Sequence, residues 1–185
     1  MKTEADVKMR LAAKLRDARS LQDVFELAKE AVWKHLRVDQ AGLMVGLADL
    51  GISAGSILGA YYSPDANTIV INRTVMNQVK QLADQQLYNS YCFYILLHEY
   101  LHSCGFYDEN ENRQIVAAIA AQELGQDHIV TKLATTNDAM LKLIKTGIMS
   151  GKGGNDSLSA TATATAETGI EFVEGIDRGN TNYIM

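Results

Sequence analysis

His98-Glu99-Tyr100-Leu101-His102-Ser103-Cys104-Gly105-Phe106-Tyr107-Asp108 sets two histidines four residues apart, with a glutamate directly after the first. Around the run stand Phe93, Ile95, Leu96, Leu97 and Leu101, so it belongs to an apolar helix. Residues four apart on a helix share a face, with Cβ atoms about 5–6 Å apart, and His98 and His102 can therefore aim two imidazoles at one ion. Glu99 then lies beside the metal rather than on it, where its carboxylate can take a proton from metal-held water. Two unpaired histidines and a glutamate among so much apolar surface would be costly, and a bound cation removes that conflict.

A catalytic zinc keeps three protein ligands and one open position, so a third ligand is needed downstream of His102. Gly105 can adopt the left-handed conformation that ends the helix and turns the chain back. Asp108 is the expected third ligand, with Glu123 and then His128 as alternatives. Competing uses exist for each group. An HExxH run also arises by chance in unrelated helices, and Asp108 or Glu109 could cap the helix that follows. A closed structural zinc site would need four Cys or His ligands, and only Cys104 is near.

Working outward, Ser20 stands at an N-cap position with Asp23 three residues on, and Leu21, Val24, Phe25, Ala28, Val32 and Leu36 recur at helical spacing. This predicts a helix over 20–37, preceded by a shorter one over 5–18. Ala41 to Leu47 reads as a buried strand. Ile57–Ser63 and Thr68–Asn72 flank Pro64-Asp65-Ala66-Asn67, which has turn chemistry, and together predict a β-hairpin. Further helices are predicted over 74–87, over 110–124 closed by Gly125, and over 129–146.

The 22 acidic against 17 basic residues, net charge −5, offer no electrostatic footprint for nucleic acid. No secretory h-region and no stretch of roughly 20 apolar residues is present, so no membrane association is expected. Cys92 and Cys104 fall on one predicted helix, about 18 Å apart, too far to bridge, and a cytoplasmic setting is the expectation. From Ser150 the composition turns to Gly, Ser, Thr and Ala, including Ser159-Ala160-Thr161-Ala162-Thr163-Ala164-Thr165-Ala166. The expected organisation is a domain over 1–149, a flexible linker over 150–168 and a tail over 169–185. That tail carries Ile170, Phe172, Val173, Ile176, Tyr183 and Ile184, enough to dock on the domain or to lie in the cleft as a pseudo-substrate.

The full pattern, HExxHxxGxxD, resembles the long zinc-binding motif of the metzincin proteases with aspartate in the last ligand position. The order of helix, strands, hairpin and active-site helix resembles a compact zincin, and small archaeal proteins carry a similar HEYLH segment, over roughly residues 20 to 135. A metzincin would also place a methionine turn under the metal, whereas Met140 and Met149 fall in or near a predicted helix. The resemblance implies an α+β zincin-like domain with a small sheet, and a zinc metallopeptidase holding one Zn2+ through His98, His102 and Asp108. Peptide bonds of a peptide or protein substrate would be hydrolysed by Glu99-assisted attack of zinc-bound water. Thr68–Asn72 would form an edge strand along which an extended peptide adds. Tyr61, Tyr62 and Tyr107 are candidates by type for stabilising an oxyanion. Two other classes compete: a zinc-dependent ribonuclease of the rRNA-maturation type, opposed by Glu99, Asp108 and the acidic charge, and a non-catalytic zincin-fold interaction module.

Overall fold

The computed structural model describes residues 4–52, 57–136 and 169–176. Two helices open the chain, α1 (Glu4–Asp17) and α2 (Leu21–Leu36). Helix α2 begins as its sequence signals. The Ser20 hydroxyl accepts from the Asp23 N–H at 3.1 Å while the Asp23 carboxylate accepts from the Ser20 N–H at 3.0 Å, a reciprocal capping box. Its apolar side buries Val24, Phe25, Leu27, Ala28, Ala31 and Val32.

Strand β1 (Met44–Ala48) is followed by the hairpin of β2 (Ala60–Ser63) and β3 (Thr68–Asn72). Then come α3 (Arg73–Leu82), α4 (Gln85–Ser103), α5 (Glu109–Glu123), α6 (Ile129–Thr135) and the short β4 (Glu171–Phe172). The architecture is α+β, with six helices and one mixed four-stranded sheet among the described residues. None of the described helices is long and apolar enough to cross a membrane. The expected helix over 74–87 is two helices. Ala83 leaves the helical region at φ −111°, ψ 152°, and Asp84 caps α4 by accepting from the Leu87 N–H at 2.8 Å. Of the helix expected over 129–146, the part beyond Thr136 lies outside the described residues, as do Met140, Met149, the linker and Tyr183–Met185.

Sheet order is β2-β3-β1-β4, with β1 parallel to β3 and the other pairs antiparallel. This overturns the expected edge position of Thr68–Asn72, since β3 lies between β2 and β1. All five residues of β3 are buried, the pattern of a strand covered on both sides, and the edge strand of the hairpin is β2. The Asn72 N–H donates to the Gly59 carbonyl at 2.8 Å. In the antiparallel alternation this turns residues 59, 61 and 63 toward β3 and leaves the backbone groups of Ala60 and Tyr62 facing outward.

Helix α4 runs through the middle of the molecule. It packs against α1, α2, α5, α6 and β2, and its buried residues, among them Tyr91, Cys92, Phe93, Ile95 and Leu101, lie round most of its circumference. The Tyr100 ring meets Phe25 edge-on, centroids 5.5 Å apart, and its hydroxyl accepts from the Gln40 N–H at 3.2 Å. At the other end of α4, the buried Asn89 amide donates to the Leu15 and Ala18 carbonyls at 2.8 and 2.9 Å, closing the last turn of α1. A helix so enclosed carries its polar residues into the core, and this is how Glu99 comes to be only 8% exposed.

The tail segment reaches the opposite edge of the sheet. Val173 N–H donates to the Val45 carbonyl at 2.9 Å, Arg73 pairs with Glu171 at 2.6 Å, the Gln22 amide donates to the Gly175 carbonyl at 3.2 Å, and Ile176 is buried. Gly46 is the residue over which it crosses: a Cβ there would stand 2.3 Å from Ile170 Cγ2. Residues 169–176 therefore dock on β1, three strands away from the outer edge of β2, and for this segment docking replaces the pseudo-substrate expectation.

Candidate metal centre

Helix α4 presents His98 and His102 one turn apart near its C-terminal end, their rings edge to face with centroids 4.7 Å apart. Gly105 then takes φ +101°, the left-handed conformation open to glycine at little cost, and reverses the chain into α5. The reversal does not deliver Asp108 to the histidines. Asp108 is the N-cap of α5, its Oδ1 accepting from the Asn110 and Glu111 N–H groups at 3.0 and 2.8 Å.

The residue brought to the histidines is the next one, Glu109. His98 Nε2 and His102 Nε2 are 3.1 Å apart, Glu109 Oε2 is 3.3 Å from the first, and Glu109 Oε1 is 3.2 Å from the second. Four ligands at about 2.0–2.1 Å around a tetrahedral zinc stand about 3.3 Å from one another, and the two imidazole nitrogens have that spacing, with one oxygen of the Glu109 carboxylate facing each of them. Among the described residues, His98, His102 and Glu109 form the group of side chains able to hold a metal ion.

The surroundings set the tautomer of His102 and favour the neutral form of His98. His102 Nδ1 is 2.8 Å from the Phe106 carbonyl, a bond that requires the proton on Nδ1 and so leaves Nε2 free to ligate. Burial, and next the charge of His102, hold His98 well below the ordinary histidine pKa, the Glu109 carboxylate opposing them only in part. The buried His98 Nδ1 has no protein partner.

Glu99 lies on the flank of this cluster. Burial raises its carboxyl to about 7, the nearby Glu109 carboxylate adds to the rise, and a hydrogen bond from the Tyr62 backbone offsets part of it. That bond places Glu99 at the outward-facing edge of β2. A carboxyl titrating near neutrality can both accept and return a proton.

The other candidates are used elsewhere. Glu123, 5% exposed, accepts from Lys34 Nζ at 2.5 Å and lies 2.6 Å from His35 Nε2, tying α5 to the end of α2. His128 caps α6, its Nδ1 accepting from the Val130 N–H at 3.3 Å. The Tyr62 hydroxyl donates to Asn67 Oδ1 at 3.1 Å within the hairpin, while Tyr61 and Tyr107 are 37% and 63% exposed.

Two neighbours escaped the sequence reading. Tyr94, one turn before His98, has its ring centroid 6.3 Å from that imidazole and lies in the field of Arg113, Glu109 and Glu99. Asn112, fully buried, touches both histidines. For Glu109 a signal did exist: aspartate is an established N-cap residue, so in the pair Asp108-Glu109 the cap falls naturally to the first and the second is left over. Neither a protein-family model, nor a curated protein, nor a solved structure matches this chain.

Proposed function

We propose that this chain is a zinc-dependent metallopeptidase of zincin type, with His98, His102 and Glu109 as the metal ligands and Glu99 as the general base. The observation that carries the reading is the convergence of His98, His102 and the Glu109 carboxylate, with contacts of 3.1–3.3 Å between them, beside a buried carboxyl of raised pKa. Bound there, a zinc ion supplies Lewis-acid activation of a water molecule and of a carbonyl group. Three protein ligands leave the fourth position to water or substrate, as a catalytic rather than a structural site requires.

This chain's own residues supply the rest. Glu99 takes the proton of the attacking water and returns it to the leaving amine. The outward-facing backbone groups of Ala60 and the carbonyl of Tyr62, whose N–H is taken by Glu99, offer an extended peptide an edge to pair with, which favours a peptide over other carbonyl substrates. The edge strand is thus β2, in place of Thr68–Asn72. Both cysteines are free thiols, in keeping with a reducing, cytoplasmic setting.

The test combines metal analysis with hydrolysis. Protein purified without chelator is expected to hold close to one zinc per chain and to cleave members of an unstructured peptide library. Glu99→Gln is expected to retain the zinc and lose the cleavage. No zinc bound, even after titration with zinc salt, would refute the reading. Zinc bound without cleavage of any peptide would leave a non-catalytic module on the same fold.

A further inference from the structure

We propose that Asn112 is a positioning residue that locks the two ligand-bearing helices and the loop between them together and thereby sets the affinity of the metal centre. The inference rests on the zinc reading above but concerns a residue outside the ligand set. Asn112 is 0% exposed and lies three residues after Glu109 on α5, hence on the same side of that helix. Its Nδ2 donates to the His98 carbonyl at 3.0 Å and to the Phe106 carbonyl at 3.3 Å, and stands 3.2 Å from His102 Nδ1. Phe106 O is the same oxygen that accepts from His102 Nδ1.

One side-chain amide therefore joins α4, the loop after Gly105 and the first turn of α5, the three segments whose relative placement decides whether His98, His102 and Glu109 converge. Glu109 itself is 63% exposed, so little packing of its own side chain holds it at the histidines, and the placement falls to the helix beneath it. Asn112 provides that link one turn away. It does so at an energetic cost. Its Oδ1 is buried without a protein partner, and a leucine, with the same branched skeleton, would occupy the position with no polar requirement at all. A costly buried amide bonded to the carbonyl of His98 and to the carbonyl that orients His102 is what placement of those ligands explains and simple packing does not.

The experiment uses the full chain, with Asn112→Ala and Asn112→Leu beside the wild type. Zinc dissociation constants are measured by competition with a chromophoric chelator, the cobalt-loaded forms are compared by visible absorption, and the metal-free forms by denaturant unfolding. Loss of outer-shell partners of metal ligands typically weakens binding ~10–100-fold, and that loss is expected for both variants. Cobalt absorption is expected to weaken as the tetrahedral set loosens. Asn112→Leu, which keeps the branched skeleton and fills the site, is expected to recover metal-free stability relative to Asn112→Ala without recovering zinc affinity. Variants that bind zinc as tightly as the wild type, or an Asn112→Leu that restores affinity together with stability, would overturn the inference in favour of packing. A wild type that takes up no zinc would overturn the metal reading and this inference with it, a result distinct from tight binding shared by all three proteins.

Discussion

Replacing Glu99 by glutamine should make the metal-free protein more stable at pH 8 while removing the proposed general base. The carboxyl is 8% exposed, and burial together with the Glu109 carboxylate lifts it from 4.5 to about 7. A folded-state pKa above the unfolded one means that the folded chain binds this proton more tightly. The corresponding stability is fully present below pH 4.5, drains away as pH rises toward about 7, and is absent beyond it. At about 1.4 kcal/mol per pH unit, that interval corresponds to roughly 3 kcal/mol of destabilisation carried by the ionised side chain at pH 8. Glutamine is close in shape, keeps an oxygen for the Tyr62 N–H and never ionises. Urea unfolding in the presence of chelator, on both proteins at pH 4.5 and pH 8, isolates the effect, because the other titrating groups are common to both. The glutamine variant should exceed the wild type by roughly 2–3 kcal/mol at pH 8 and by little at pH 4.5. Added zinc should narrow the gap, since a cation beside Glu99 favours its ionised form. Equal stability at pH 8, or a less stable variant, would refute the claim that Glu99 is held in an unfavourable, buried, charged state.

Ligand and cap should separate cleanly: Glu109→Ala is expected to lose most zinc affinity, whereas Asp108→Ala should cost about 1 kcal/mol of helix-capping stability and leave affinity nearly intact. The reverse order in a chelator-competition titration would return the third ligand position to Asp108. Cys92, wholly buried with its thiol pushed up to about 12, should resist iodoacetamide at pH 8 until the protein is unfolded. Because this thiol gives up its proton only at high pH, its share of stability is full below 9 and declines as pH climbs toward 12, and rapid labelling of the native protein would contradict the packing of α4. Gly46→Val should drive a side chain into Ile170, release β4 from β1 and make the segment around 169–176 sensitive to limited proteolysis, with zinc content unchanged. Loss of zinc in that variant would argue against the separation of tail and metal centre.

Several elements were legible because their signals are local. Ser20 and Asp23 cap α2 through atoms three residues apart, and the turn at Pro64–Asn67 joins the two strands it was expected to join. The pairing of His98 with His102 needs only the pitch of one helix. Other features turned on distant chain. Thr68–Asn72 reads as a strand by composition, but whether it lies at an edge depends on β1 docking alongside it, more than twenty residues away in sequence. The split between α3 and α4 rests on Asp84 finding a cap role, which periodicity across 74–87 does not reveal.

The amino-acid sequence by itself determined the helix that carries two histidines and a glutamate, the chain reversal at Gly105, the hairpin, and the acidic residues from which a third ligand could come. Tertiary structure decided which of them stands beside the two histidines. Neighbouring residues at a helix start point about 100° apart, so the choice between Asp108 and Glu109 follows from how α5 is rotated against α4. That rotation is set by the burial of Val116, Ile119 and Ala120 and by the Asn112 amide, contacts across segments that no local spacing encodes. The same holds for the raised pKa of Glu99, which arises from the layers of helix and strand enclosing α4 and the Glu109 charge brought beside it.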